Sequence, residues 1–304
     1  MNEIRMDPLT REWVIVAPNR DRRPIQPSRC PFCVGSDEID PSKQVQIVPN
    51  RYAALSPNPD RASGQQFRSA FGFNEIVVES LNHDADFCNL PLSQAEAVLK
   101  VVLERIDSLY AKDGIRYVHF FRNRGKEIGV TISHPHSQIY AMPFVPPRIK
   151  TERKVFETFR PCVLCRQSRY ADKSGRLVLR EGSAIAYVPF APRWPYEVHI
   201  QSDHVLSFGQ LESSKLREVV HLLQSVLNSI DTVLGKGTAY TFSLHSAPKG
   251  CKQFHAHFEV APVVYDRTRV RFTAGVERGT GTPVLDRSPE ERARELREAS
   301  KKPR

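Results

Sequence analysis

The apolar residues of this chain recur with two periods, and the succession of those periods occurs twice. Residues 93–112, SQAEAVLKVVLERIDSLYAK, are apolar at helical spacing, and Ser93 with Glu96 has the form of a capping box, so a helix is expected there. A strand over residues 117–122 follows, then a second that opens His134-Pro135-His136-Ser137-Gln138. The later part repeats this order with a helix over residues 211–234, a strand over 240–245 and a strand over 255–262 that opens His255-Ala256-His257-Phe258-Glu259. Further strands are expected at residues 13–16, 76–79, 184–188 and 197–201. The charged, proline-bounded segment 147–161 reads as the join between the halves. One helix per half and long antiparallel connections predict an α+β protein, with two units at 1–150 and 151–304, each an antiparallel sheet with a packed helix.

Composition narrows the function without naming it. At 304 residues and 40% hydrophobic, the chain can bury a sizeable core. It has no run of about 18 apolar residues, so no membrane span is expected. The formal charge of +10 favours anionic partners such as phosphates. Part of that excess is uninformative, because residues 287–304 carry seven positive and four negative charges in the pattern of a solvated helix or frayed tail. A nucleic-acid-binding protein with zinc modules is the competing class, but the basic residues are dispersed and not gathered around the cysteines, so nucleic acid is not expected as a partner.

Two ligand sets of one composition give the repeat a chemical content. The first is Cys30, Cys33, His83 and His134; the second is Cys162, Cys165, His204 and His255. His204 lies 121 residues after His83 and His255 lies 121 after His134, while the C-x-x-C pairs are offset by 132. A C-x-x-C turn places two thiolates close enough to share one zinc ion, and distant histidines complete the tetrahedron. Two zinc ions per chain are therefore expected. Disulfides compete weakly, since no secretory signal opens the sequence and a cytoplasmic location is expected; Cys88 and Cys251 stand alone.

On a strand, alternate side chains share a face, so His134, His136 and Gln138 are expected to point one way. With His134 on a metal, His136 is held beside it facing a cleft, and Gln138 can offer an amide hydrogen to a phosphoryl oxygen. Neutral histidine attacks phosphorus and forms a phosphoramidate that a second nucleophile opens. Upstream, residues 123–131, NRGKEIGVT, with Asn123, Gly125, Gly129 and Thr131, form either a phosphate-cradling loop or a plain hairpin connection. His257 is the counterpart of His136, but Glu259 replaces Gln138 there and would repel phosphate, so His257 is assigned to substrate positioning or structure.

The string His134-Pro135-His136-Ser137-Gln138, with Asn123, Gly125 and Gly129 before it, resembles the signature of galactose-1-phosphate uridylyltransferases, a branch of the histidine-triad superfamily. The likeness extends to residues 7–18, DPLTREWVIVAP, to Arg20 and Arg23, to residues 49–55, PNRYAAL, and to His245, His255 and His257. It implies two histidine-triad-like domains, a uridylylated His136, phosphate contacts from Gln138, Asn123 and Thr131, nucleotide contacts from Arg20, Arg23 and Asn50, and a first zinc on Cys30, Cys33, His83 and His134. It further implies a homodimer that exchanges UMP between UDP-glucose and galactose 1-phosphate, a UDP-sugar and a hexose 1-phosphate, by a ping-pong route.

Three departures bear on that reading. Cys162 and Cys165 place the chain with two-zinc members, which include ADP-glucose phosphorylases, and not with members that use a Glu and three His. Arg51 stands where many relatives are acidic. In residues 271–281, Glu277 falls where the family has a sugar-hydroxyl ligand, with Val276 in place of an aromatic residue. An ADP-glucose phosphorylase and a nucleotide hydrolase remain the competing enzyme classes.

Overall fold

The computed structural model describes residues 1–24, 27–62, 64–264 and 275–302. In chain order the elements are β1 (Glu3–Met6), β2 (Trp13–Val16), β3 (Gln46–Pro49), β4 (Phe67–Ser69), β5 (Phe73–Val78), α1 (Leu92–Tyr110), β6 (Tyr117–Arg124), β7 (His136–Met142), α2 (Pro147–Thr158), α3 (Val163–Tyr170), β8 (Leu177–Glu181), β9 (Ala184–Tyr187), β10 (Val198–Gln201), α4 (Ser213–Leu234), β11 (Tyr240–His245), β12 (His257–Pro262), α5 (Val276–Thr280) and α6 (Pro289–Ala299). No helix of the described residues is long and apolar enough to cross a membrane.

Nine strands form one antiparallel sheet in the order β3-β5-β7-β6-β11-β12-β10-β9-β8, and β1, β2 and β4 form a small second sheet. The α+β class is as expected. The large sheet has a feature the periodicity does not announce: β6 pairs directly with β11, Phe121 opposite Ser243, so the two halves share one sheet. Around that central pairing the order β3-β5-β7-β6 is mirrored by β9-β10-β12-β11.

Alternation along the central strands sorts the chemistry from the core. Phe120, Ile139, Phe242, Leu244, Phe258, Val260, Val198 and Ile200 face the helices and are buried with the apolar faces of α1 and α4. Register puts the polar alternates together on the other face: Phe121 lies opposite Gln138, Thr241 opposite Asn123, His245 opposite His257, Ser243 and His199 opposite Glu259. Period two thus produces a greasy floor beneath and a polar surface above.

Several local expectations need correction. α1 starts at Leu92 behind Pro91, whose side chain caps nothing, so Ser93 and Glu96 do not form a capping box; Glu96 is drawn across to Arg217 of α4 at 2.6 Å. The segment 147–161 is largely helix, because Ile149 and Phe156 bury one side of α2. The last helix is more than a solvated tail. Ser288 and Glu291 make a true capping box, Ala293 and Leu296 are buried with α4, and the Arg292 guanidinium lies 4.1 Å over the Tyr196 ring. β7 begins at His136 and β12 at His257, so His134 and His255 precede their strands. Residues 271–274 of the expected hexose-side segment lie outside the described residues.

Candidate active site

Each expected ligand set comes together in space. The ligand atoms of Cys30, Cys33, His83 and His134 lie within 4.8 Å of one another, as do those of Cys162, Cys165, His204 and His255. In the first set Cys33 Sγ is 3.2 Å from His83 Nδ1 and 3.6 Å from His134 Nδ1. In the second, Cys162 and Cys165 are each 3.5 Å from His255 Nδ1, and Cys165 is 3.4 Å from His204 Nδ1. A tetrahedral zinc ion with ordinary bond lengths spaces sulfur and nitrogen about 3.5 Å apart, so both sets fit that metal.

The surroundings select the tautomer that ligation needs. His134 Nε2 meets the Ser80 carbonyl at 2.8 Å and His255 Nε2 meets the Ser202 carbonyl at 3.3 Å. A carbonyl only accepts, so Nε2 carries the hydrogen in each and Nδ1 presents its lone pair toward the sulfurs. Burial pushes the Cys165 thiol up to about 11, a cost that a bound cation would relieve.

The same logic orients His136. Its Nδ1 donates to the His134 carbonyl at 2.8 Å, which leaves Nε2 as the lone-pair nitrogen. Burial lowers the pKa of His136 to about 4, so the imidazole is neutral near pH 7. The Cys30–Cys33 turn presents Phe32 with its ring 5.3 Å from that of His136, so the first ligand set also buttresses this imidazole. His136, Gln138, Thr131, Arg23 and Asn50 line one cleft of about 180 Å³. Between His136 and Gln138, Ser137 points to the opposite face and donates to buried Glu79, which in turn holds Arg122 at 3.0 Å.

The remaining expected residues are placed less uniformly. Arg23 donates to the Gly129 carbonyl at 3.1 Å, and Arg20 reaches the Tyr52 carbonyl and the Tyr140 hydroxyl, both at 3.2 Å. Asn123 shares the polar face with His136, but its amide oxygen accepts from Thr241 at 3.0 Å and it does not line the cleft. In the loop after it, Arg124 turns to the helix side and pairs with Asp86 at 2.7 Å and with Asp231. Glu277 lies on α5 and accepts the Val284 amide at 3.1 Å, and it is not among the described residues that line the cleft.

His257 occupies a different environment from His136. It is buried, with Nδ1 donating to the His255 carbonyl at 2.9 Å. Burial alone would lower its pKa, but the hydrogen bond to Glu259 and the Glu152 carboxylate outweigh that and raise it. Glu152 of α2 reaches His245 at 3.0 Å, His199 sits between Glu197 at 2.9 Å and Glu259 at 3.3 Å, and Arg148 pairs with Glu259 at 2.5 Å. Burial would push the Glu259 carboxyl up; His245, His257, His199 and Arg148 hold it well below the usual range. Glu152, His245, His257 and Glu259 also have ligand atoms within 4.8 Å, so a Glu-and-His group stands beside the Cys162 set and does not replace it. Glu152, Glu197 and His199 carried no sequence motif. Strand alternation is the signal that would have found His199, since it lies two residues from Gln201 and Glu197 on one face.

Comparison with known proteins agrees with this geometry. Residues 28–146 match the family model for the N-terminal domain of galactose-1-phosphate uridyl transferase. The chain is 35% identical to the galactose-1-phosphate uridylyltransferase of Thermotoga maritima, over 98% of each. It superposes on a solved uridylyltransferase with a TM-score of 0.89 at 34% identity, covering 98% of both chains. A second solved structure, an ADP-glucose phosphorylase from Arabidopsis thaliana with bound ADP-glucose, gives a TM-score of 0.76 at 27% identity, again over 98% of each. A chain so alike along its whole length, with a histidine dyad on one shared sheet and paired Cys-His sets, belongs to the galactose-1-phosphate uridylyltransferase family.

Proposed function

We propose that this protein is a nucleotidyltransferase that moves UMP from UDP-glucose to galactose 1-phosphate through His136. In the first half-reaction, His136 Nε2 attacks the uridylyl phosphorus. The P–N bond forms as the P–O bond to the departing glucose 1-phosphate breaks. In the second, a phosphate oxygen of galactose 1-phosphate attacks the same phosphorus and the P–N bond breaks, returning a neutral imidazole. The observation that carries this reading is His136 itself, neutral by burial and with Nδ1 committed to the His134 carbonyl, so that its lone pair is on Nε2. Gln138 and Arg23 in the same cleft are assigned to the phosphoryl oxygens, whose charge grows in the transition state. Thr131 and Asn50 are assigned to phosphate and nucleoside, Arg20 to holding the Tyr52 turn beside them, and Asn123, His257 and Glu277 to more distant support.

Zinc ions in the two Cys-His sets are assigned a structural role, since four protein ligands leave no open coordination position; bound there, zinc would tie the C-x-x-C turns to the histidine loops. Units 1–150 and 151–304, and a homodimer, complete the proposal on the strength of the family resemblance.

Incubation with UDP-glucose labelled in the uridylyl phosphate tests the central step. Wild-type protein is expected to retain acid-labile label at about one per chain, and His136→Ala none. Label retained by His136→Ala would overturn the assignment. Arg51 in the cleft lining favours a second donor, so labelled ADP-glucose with phosphate as acceptor forms the parallel arm. Faster turnover there, with no product from galactose 1-phosphate, would place the activity with the phosphorylases.

A further inference from the structure

His136 is the first residue of β7 and follows a proline, and much of what holds it comes from the side of the sheet away from the cleft. Pro135 has no amide hydrogen, so the segment entering the strand has one backbone donor fewer to pin it. Glu79, the residue after β5, grips that segment twice: its amide donates to the Pro135 carbonyl at 3.2 Å, and its carboxylate accepts from the Ser137 hydroxyl. One residue thus clasps the chain immediately before and immediately after the nucleophile. Glu79 is itself fixed by two further elements. Its carbonyl accepts from the Gln94 side chain of α1 at 2.9 Å, and its second carboxylate oxygen meets Arg122 Nε at 3.0 Å. The other nitrogens of Arg122 are committed too, Nη1 donating to the Tyr240 hydroxyl of β11 at 2.8 Å and Nη2 lying 3.4 Å from Asp86 Oδ1. Glu79, Ser137 and Arg122 are all buried, so the grip is shielded from solvent.

A buried carboxylate and guanidinium are a costly way to hold a strand, since apolar side chains of the same volume serve stability as well or better. What the ion pair adds is direction: a hydrogen bond weakens steeply as its length and angle depart from ideal, whereas apolar contacts tolerate sliding. The imidazole of His136 needs that direction. Its Nδ1 bond to the His134 carbonyl closes over the Pro135 backbone, so a displacement of residues 135–137 swings Nε2 across the cleft. Glu79, Arg122 and Tyr240 are not among the described residues that line the cleft, so they act on the nucleophile through the backbone and not on a substrate. We propose that Glu79 is a positioning residue that sets the line of attack of His136 by clasping Pro135 and Ser137. Arg122 ties that clasp, through Tyr240, to the second half of the chain. The inference rests on the nucleotidyl-transfer reading given above.

Ser137→Ala removes the side-chain half of the clasp without adding bulk, and Glu79→Gln keeps its shape while removing its charge. Saturating UDP-glucose labelled in the uridylyl phosphate gives the rate at which His136 takes label, and calorimetry gives the affinity for UMP. Both variants are expected to label about tenfold to a hundredfold more slowly per folded molecule, with UMP affinity within about threefold of wild type. The displacement is also read without any reaction, by nuclear magnetic resonance of protein with isotopically labelled histidine. There the His136 Nδ1–H signal, identified by its absence from His136→Ala, should shift or broaden in Ser137→Ala. A merely structural clasp would lower the melting temperature and leave the rate and the signal as they are. Labelling of folded Ser137→Ala within about threefold of wild type overturns the proposal, and so does a loss of rate matched by an equal loss of UMP affinity. If Ser137→Ala does not fold, the same readings on Glu79→Gln decide. No label on wild type, with the His136 signal still moved by Ser137→Ala, removes the transfer reaction and leaves the positioning standing; no label with the signal unmoved overturns both.

Discussion

His136 and Ser137 are neighbours in sequence and work on opposite sides of one sheet. His136 opens toward the cleft, while Ser137 donates to a buried pair, Glu79 and Arg122, on the helix side. The same buried network includes Asp86, which Arg124 meets at 2.7 Å and Arg122 at 3.4 Å. Burial alone would push the Asp86 carboxyl up, but the two guanidinium groups outweigh it and hold it below its ordinary 3.8. Its stabilising contribution is therefore complete above about pH 4 and is lost as pH falls through the lower folded-state value. Asp86→Asn should cost about 1–3 kcal/mol at pH 7, shrinking in more acid solution. Urea unfolding of both proteins from pH 7 to pH 3 checks this, and a gap that widens toward low pH would contradict it. At this scale the sequence was informative where residue type implies chemistry, as with His136, Gln138 and the eight Cys and His of the two sets. It was silent about Glu38, Glu79 and Glu152, because a lone glutamate has no spacing to betray whether it pairs with an arginine or histidine brought from another element.

The two C-x-x-C elements differ in what surrounds them, and that difference has measurable results. Phe32, inside the first, packs on His136, whereas the second begins α3 and borders the apolar cluster of Phe156 and Phe254. Replacing Cys162 and Cys165 together by Ser should remove about one of two zinc ions and lower the melting temperature while leaving His136 labelling in place; metal analysis by mass spectrometry and the labelling assay read both outcomes. The central strands β6 and β11 carry a heavier load. Phe242 of β11 contacts Phe87, Phe120 and Phe258, and Phe242→Ala should cost about 3–5 kcal/mol in chemical denaturation. A cost under about 1 kcal/mol would mean the helix side of the sheet is not the packed core described. Helices and strands with strong periods were legible: β11 falls on its expected residues, and α4 ends at the expected Leu234. α2 was hidden because its prolines and charges read as a connection, although Pro147 at its first position is well suited to starting a helix.

At the scale of the whole molecule, a repeat was legible in the 121-residue offset of the histidines, yet nothing in that offset shows that the two parts are joined strand to strand. Pairing between β6 and β11, with α1 and α4 packed over one continuous core, ties the two halves into a single cooperative body. One calorimetric transition, with equal van't Hoff and calorimetric enthalpies, is the expected outcome for metal-loaded protein. Two resolved transitions would show that the halves unfold independently.

Because the middle of this sheet is closed by β6 and β11, unsatisfied backbone donors and acceptors can occur only along its outermost strands, β3 and β8. Both are poor templates for a stranger's strand. β3 has four residues and ends at Pro49, which has no amide hydrogen to offer, while β8 is broken in register near Leu177 and receives Arg297 of α6 on the Leu177 carbonyl. The large sheet therefore ends in two blunt margins, one made by a proline and the other by a register break and an arginine, and both are expected to resist edge-to-edge stacking.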